Sequence, residues 1–169
     1  MELDPRLHFV VVTGIVAKLE NGTPKFLIAK RAPTEKAFPN KWTVPGGKLV
    51  RTEYENLPKR PYVEGQKPSE APQWYNLVEW VLRKEVMEEV NVEIESPKYL
   101  TDLVFIRPDG YPVATLSYWA MYKSGDPKPG KDLTEVAWVT AAEAKQHDMI
   151  EGIPEEIAEV ERIIVERIM

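Results

Sequence analysis

The 169-residue chain has no cysteine and only two histidines. Absent thiols exclude a disulfide scaffold, a thiolate zinc site and cysteine nucleophiles. His8 and His147 lie far apart with no motif around either, which disfavours the histidine-based zinc sites of hydrolases. Ser69, Ser96, Ser117 and Ser124 lack a nucleophile-elbow context. No apolar run approaches the roughly 20 residues of a membrane span. The first residues have neither the basic start nor the apolar stretch of a signal peptide. These absences leave the expectation of a soluble, cytoplasmic protein, one domain over residues 1–169, with no membrane contact and a real core.

Charge is present in quantity but unevenly placed. The net charge is −5, which argues against stable nucleic-acid binding. Residues 1–78 carry 12 Lys/Arg against 8 Asp/Glu, whereas residues 79–95 carry 2 against 6. A local carboxylate cluster beside a basic region could hold a metal and a phosphorylated ligand.

The β-branched run at 8–18 predicts a long strand, Asn21-Gly22 a hairpin turn, and residues 26–29 the returning strand. Residues 42–47 read as a short strand ending in a turn. Seven of the 15 prolines fall between Pro33 and Pro72. The polar stretch 48–72 reads as a loop, of a length that is usually functional or mobile. Trp74, Leu77, Val78, Val81, Leu82 and Val86 form a helical stripe over about 73–90. Strands follow at 99–107 and 113–123, joined by Pro108-Asp-Gly-Tyr111, then a short one at 136–139. Thr140 to Glu143 has the spacing of a capping box, and residues 153–169 form a final helix with Ile157, Val160, Ile164 and Ile168 on one face. The long first strand and the acidic last helix are the surfaces that could support a homodimer.

Within the acidic block, Glu85, Glu88 and Glu89 stand at i, i+3 and i+4 and share one helix face. Such carboxylates repel unless a positive group lies between them, and a hard divalent cation takes oxygen ligands of this kind. A solvated acidic face is the plainer reading of this pattern alone. Upstream, Trp42-Thr-Val-Pro-Gly46-Gly47 puts two glycines directly after a strand, where backbone can approach a ligand closely.

Together these segments resemble the signature of the Nudix hydrolase family (MutT-like). That signature is Gly, five residues, Glu, seven residues, then Arg-Glu-U-x-Glu-Glu-x-Gly-U, with U a bulky aliphatic. Gly47 and Glu53 match the first half, and Lys84-Glu85-Val86-Met87-Glu88-Glu89-Val90-Asn91-Val92 the second. Three departures stand out. Lys84 replaces the Arg and Asn91 the Gly, and 30 residues rather than seven separate Glu53 from Lys84. The excess reads as an insertion over about 54–72. Counted back from the helix, Asn76 would hold the position that Glu53 holds counted forward, so Glu53's access to the site stays open.

The resemblance implies the Nudix fold, an α/β/α sandwich with a mixed β-sheet. It also implies Mg²⁺-dependent (Mn²⁺ possible) hydrolysis of nucleoside-diphosphate-linked substrates, with a nucleoside triphosphate or related small nucleotide as the expected one. Gly46, Glu85, Glu88 and Glu89 would be metal ligands. Glu88, Glu89 or Asp132 would orient or deprotonate the water, a choice that geometry decides. Arg31, Gly47, Lys48 and Glu53 would contact substrate, with Glu135 an alternative to Asp132 and Lys84 the structural support. Pro108, 16 residues after Val92, is similar to a feature of ADP-ribose-hydrolysing members, although Pro-Asp-Gly is equally a hairpin turn. The basic residues Arg51, Lys59, Arg60 and Lys67 suggest a lid or a solvated loop, and Trp74, Tyr75 and Tyr111 could stack on a base or pack in the core. A non-catalytic nucleotide-binding module on the same fold is the alternative, and an isomerase a weaker one.

Overall fold

The computed structural model describes residues 4–59 and 71–169. In chain order the elements are β1 (Phe9–Glu20), β2 (Thr23–Arg31), β3 (Trp42–Thr43), β4 (Gly46–Lys48), α1 (Arg51–Tyr54), α2 (Leu77–Val90), β5 (Val92–Ile94), β6 (Lys98–Ile106), β7 (Pro112–Gly125), β8 (Leu133–Val139), α3 (Ala141–Ala144) and α4 (Ile153–Ile168). No helix among the described residues is long and apolar enough to cross a membrane.

β1 and β2 form the predicted hairpin, with Asn21 and Gly22 both at positive φ, as a tight primed turn requires. Their ladder runs only from Glu20↔Thr23 to Ala17↔Phe26. Beyond it the two strands part, and residues 42–48 fill the opening. Trp42–Thr43 pairs with Ala29–Lys30 of β2, and Gly46–Lys48 pairs with Val11–Thr13 of β1. The Gly-Gly pair is therefore part of a strand, not the free turn read from sequence. On its other edge β1 runs parallel to β7, so the sheet is mixed. β8 pairs with β2, and β5 and β6 with β7.

Strand alternation gives each face of the sheet its own core. Val12, Val16, Leu27 and Ala29 meet Val81, Leu82, Val86 and Val90 of α2. Ile15, Ala17, Phe26 and Ile28 meet Ile157, Val160 and Ile164 of α4 on the opposite face. The result is the expected α/β/α sandwich. Gly14 belongs to the first face because α2 packs directly over it, and a Cβ there would lie 2.5 Å from Leu82 Cδ1.

Several boundaries move. α2 begins at Leu77 rather than about 73, because Asn76 sits in the left-handed region and breaks the helical path before it. Residues 51–54, expected as loop, form the one-turn helix α1. The capping box forms as read, with Glu143 N–H donating to Thr140 Oγ1 and Thr140 N–H to Glu143. Ile168, in the last turn of α4, is exposed despite its place on the apolar stripe. β1, offered as a dimer surface, is an interior strand paired along both edges.

Candidate active site

Burial of Val81, Leu82, Val86 and Val90 turns the adjoining face of α2, with Glu85, Glu88 and Glu89, toward β4. Gly46 N–H donates to Glu89 Oε2 at 2.9 Å. Gly47, opposite Val12 in the ladder, presents its bare Cα to the helix, where an added Cβ would lie 2.2 Å from Glu85 Cδ. The glycine is needed for space at the carboxylate. Gly47→Ala displaces the Glu85 side chain from Cγ outward and with it the contact to Lys84, so stability should fall by about 1–3 kcal/mol. On the hydrolase reading proposed below, in which Glu85 holds the metal, activity should fall by about 10²-fold. Thermal unfolding and kcat measured on the same preparation check this, and an unimpaired enzyme contradicts it.

Lys84 holds the other side of the helix. Its Nζ lies 2.8 Å from Glu85 Oε1, 3.2 Å from Glu53 Oε2 and 3.6 Å from Glu88 Oε2. Burial pulls the ammonium pKa down, but hydrogen bonds to Glu85 and Glu53 and the charges of Glu85 and Glu88 outweigh it, so the group stays above the ordinary lysine value. Glu53, carried on α1, thus meets Lys84 of α2. The base of that excursion is closed by Tyr54 and Trp74, whose rings stand edge-on at 5.3 Å, and by Trp74 Nε1–H donating to the Leu57 carbonyl at 3.1 Å. Arg51 pairs with Glu55, and Lys59 lies 6.0 Å from the Trp74 ring. Arg60 and Lys67 of the suggested lid fall outside the described residues.

Among the carboxylates of the described residues, Glu89 is the one with a large shift. Burial pushes it up to about 7, helped by the charges of Glu85 and Asp132 and opposed by the Gly46 N–H and Arg31. Arg31 and Asp132 therefore both act on Glu89. Arg31 is itself held by loop 32–41, bonding Glu35 and donating Nε–H to the Ala37 carbonyl at 2.9 Å. Glu35 is an ion-pair partner that the sequence reading did not single out, and the i,i+4 spacing from Arg31 was its only signal.

Lys48 is not brought to the carboxylates. Alternation along β4 sends it to the opposite face from Gly47, where its Nζ lies 5.7 Å from the Phe9 ring. Glu135 likewise faces away and pairs with Lys30 opposite it on β2 at 3.1 Å. Tyr111 packs on Phe9, with ring centroids 5.3 Å apart, and Tyr75 is exposed. His147 lies edge-on to Trp42, and His8 bonds the Arg6 carbonyl; neither contacts the carboxylate helix.

The donor atoms in this region are all oxygen, the chemistry of a hard divalent cation. The charges of Glu85 and Asp132 lie near enough to raise the cost of ionising Glu89. Among the described residues, no three acidic or histidine side chains converge on one point. Glu85 is drawn to Lys84, Glu88 is exposed, and Glu89 is engaged by Gly46. The residues thus match such an ion in donor type, while as placed they do not converge on one point.

No protein-family model matches the sequence, and no curated protein matches it. The likeness is one of structure. The NUDIX domain of Shewanella oneidensis NrtR, solved with ADP ribose, matches 99% of this chain and 94% of its own, at TM-score 0.66 and 16% identity. The MutT protein of Methanosarcina mazei Go1 matches 95% of this chain and 97% of its own, at 0.65 and 17%. The chain has the Nudix fold. A C. elegans Ap4A hydrolase, solved as a binary complex, also matches at 0.65 and 13%, over 94% of this chain and 98% of its own. α2 carries the segment that the sequence reading matched to the second half of the signature, with Gly47 and Glu53 beside it.

Proposed function

We propose that this Nudix-fold protein is a pyrophosphohydrolase that cleaves nucleoside-diphosphate-linked substrates with Mg²⁺ or Mn²⁺. A nucleoside triphosphate or a related small nucleotide is the substrate. The observation that carries this reading is the group formed by Glu85 and Glu89 against the Gly46-Gly47 strand, with Arg31 and Asp132 acting on the same carboxylate. Relatives in fold that were solved with ADP ribose, or that are named as an Ap4A hydrolase, support a nucleotide ligand.

Gly46, Glu85, Glu88 and Glu89 would hold the divalent cation. When bound, it neutralises phosphate charge, polarises the P–O bond and lowers the pKa of water. Arg31 supplies a fixed cation for the phosphate chain, and the bare Gly47 leaves room for the Glu85 carboxylate beside it. Water oxygen bonds to one phosphorus as the bridging P–O bond breaks, and the water proton passes to a carboxylate of this group. Lys84 keeps Glu53, Glu85 and Glu88 from repelling one another out of place.

The test is a panel of nucleoside triphosphates, dinucleoside polyphosphates, ADP-ribose and nucleotide sugars, each incubated with protein and Mg²⁺ while phosphate-containing products are followed. Turnover of at least one member, lost on chelation of the metal, is expected. Tight binding of a nucleotide without turnover of any would identify a binding module instead.

A further inference from the structure

Gly130 and Asn91 tie the loop between β7 and β8, residues 126–132, onto the end of α2. The last carbonyls of a helix have no partner within it. Here the loop backbone supplies them: Gly130 N–H donates to the Glu89 carbonyl at 2.7 Å, and Lys128 N–H to the Val90 carbonyl at 3.1 Å. Gly130 has no left-handed φ to explain its identity. Space explains it, since an added Cβ would lie 2.2 Å from the Glu88 carbonyl oxygen and 2.9 Å from Glu89 Cα, both backbone atoms that cannot swing aside. Asn91, at the position where the signature has Gly, adopts the left-handed cap (φ 57°) that Gly would also adopt. Its side chain does what Gly cannot: Nδ2–H donates to the Asp126 carbonyl at 2.9 Å.

The far end of the loop is fixed as well. Ala32 N–H donates to the Asp132 carbonyl at 3.0 Å, just beyond Arg31, and Leu133 is buried in the α2-side core. Asp132 is thus suspended between a clamp on the helix that carries Glu89 and a clamp on the strand that carries Arg31.

We propose that Asn91 and Gly130 are positioning residues that dock the 126–132 loop on α2 and thereby set the Asp132 carboxylate against Glu89. The kinetic part of this proposal rests on the hydrolase reading above, while the docking itself does not. In this chain the replacement of the signature Gly by Asn is therefore a gain of an anchor.

The test uses the full chain, with Asn91→Gly, Gly130→Ala, Asp132→Asn and the two double variants carrying Asp132→Asn. Asn91→Gly keeps the cap conformation, so the melting temperature should hold or rise. Its kcat should nevertheless fall severalfold, with KM little changed. Gly130→Ala should lower kcat by roughly tenfold or more, with some loss of stability. In the Asp132→Asn background neither substitution should lower kcat further, because groups acting through one carboxylate are not additive. Losses that multiply, or an Asn91→Gly enzyme with unchanged kcat, overturn the proposal. Hydrogen exchange on metal-free protein judges the docking without activity. Protection of the Lys128 and Gly130 amides should drop in Asn91→Gly while the interior amides of α2 keep theirs, and unchanged protection of the two loop amides overturns it. A wild type that turns over no nucleotide yet shows this exchange pattern would mean that the hydrolase reading fails and the docking stands.

Discussion

Glu89→Gln should abolish hydrolysis and make the metal-free protein more stable. The two effects share one cause. Glu89 sits against the sheet with its pKa at about 7 instead of 4.5, chiefly through burial. The folded chain therefore binds this proton more tightly than the unfolded chain. That contribution to stability is complete below the unfolded value and is lost as pH rises from about 4.5 through about 7, and amounts to about 3 kcal/mol. Glutamine keeps an oxygen for the Gly46 N–H and carries no charge to bury. The variant should match wild type near pH 4 and exceed it at pH 8 by several degrees in Tm, with the wild-type decline flattened. Its kcat should fall by roughly 10³-fold or more, because a neutral amide neither holds a divalent cation as a carboxylate does nor accepts a proton from water. Thermal melts in a chelator across pH 4–8, alongside kcat at saturating Mg²⁺, check both halves. A destabilised variant with near-normal turnover would mean that Glu89 is an ordinary packing residue.

Lys84→Met should lower stability by about 3 kcal/mol, whereas Lys84→Arg should stay within about 1 kcal/mol of wild type. The ammonium is largely enclosed, with 18% of its side chain exposed, and Glu85 beside it is at 14%. Methionine fills the volume but leaves Glu53, Glu85 and Glu88 mutually repelling with no cation among them. The cost falls mainly on Glu85, which stays enclosed without a partner, whereas water reaches the more exposed Glu53 and Glu88. Arginine restores a cation, and its planar fork can span two of the three carboxylates. Urea unfolding curves give the stabilities. Activity should follow them, with Lys84→Met well below wild type and Lys84→Arg near it. A methionine variant as stable as wild type would show that the three ion pairs contribute nothing.

The parts of this site that were legible in the sequence are those set by short-range periodicity. Helical spacing put Glu85, Glu88 and Glu89 on one face, and the structure keeps them there. The glycine pair reads in the sequence as a close approach to a ligand, whereas in the structure the close approach Gly47 makes is to the Glu85 side chain. Strand alternation was harder to apply, because 42–48 looked like one strand and a turn. Once Gly46–Lys48 is seen to pair with β1, Gly47 must face the helix and Lys48 must face away from it. Glu53 could not be placed by counting, since the extra residues break any fixed distance to Lys84; only the fold brings α1 beside α2. The same limit hid Gly130, a loop glycine whose necessity arises from a helix forty residues earlier, and Glu35, whose role appears only when loop 32–41 folds back on Arg31. The layering itself is what the resemblance to the Nudix signature implies, and in the structure the two apolar faces of β1 meet the stripes of α2 and α4.

The central claim is that water is added across a phosphorus–oxygen bond at the carboxylate face of α2. It is tested most directly by running the Mg²⁺-dependent reaction, on whichever nucleotide the panel identifies, in ¹⁸O-enriched water. The account predicts label on phosphorus in one of the two phosphoryl products, and loss of labelled product in Glu89→Gln. Label on a sugar carbon, or labelled product formed undiminished by Glu89→Gln, would contradict it.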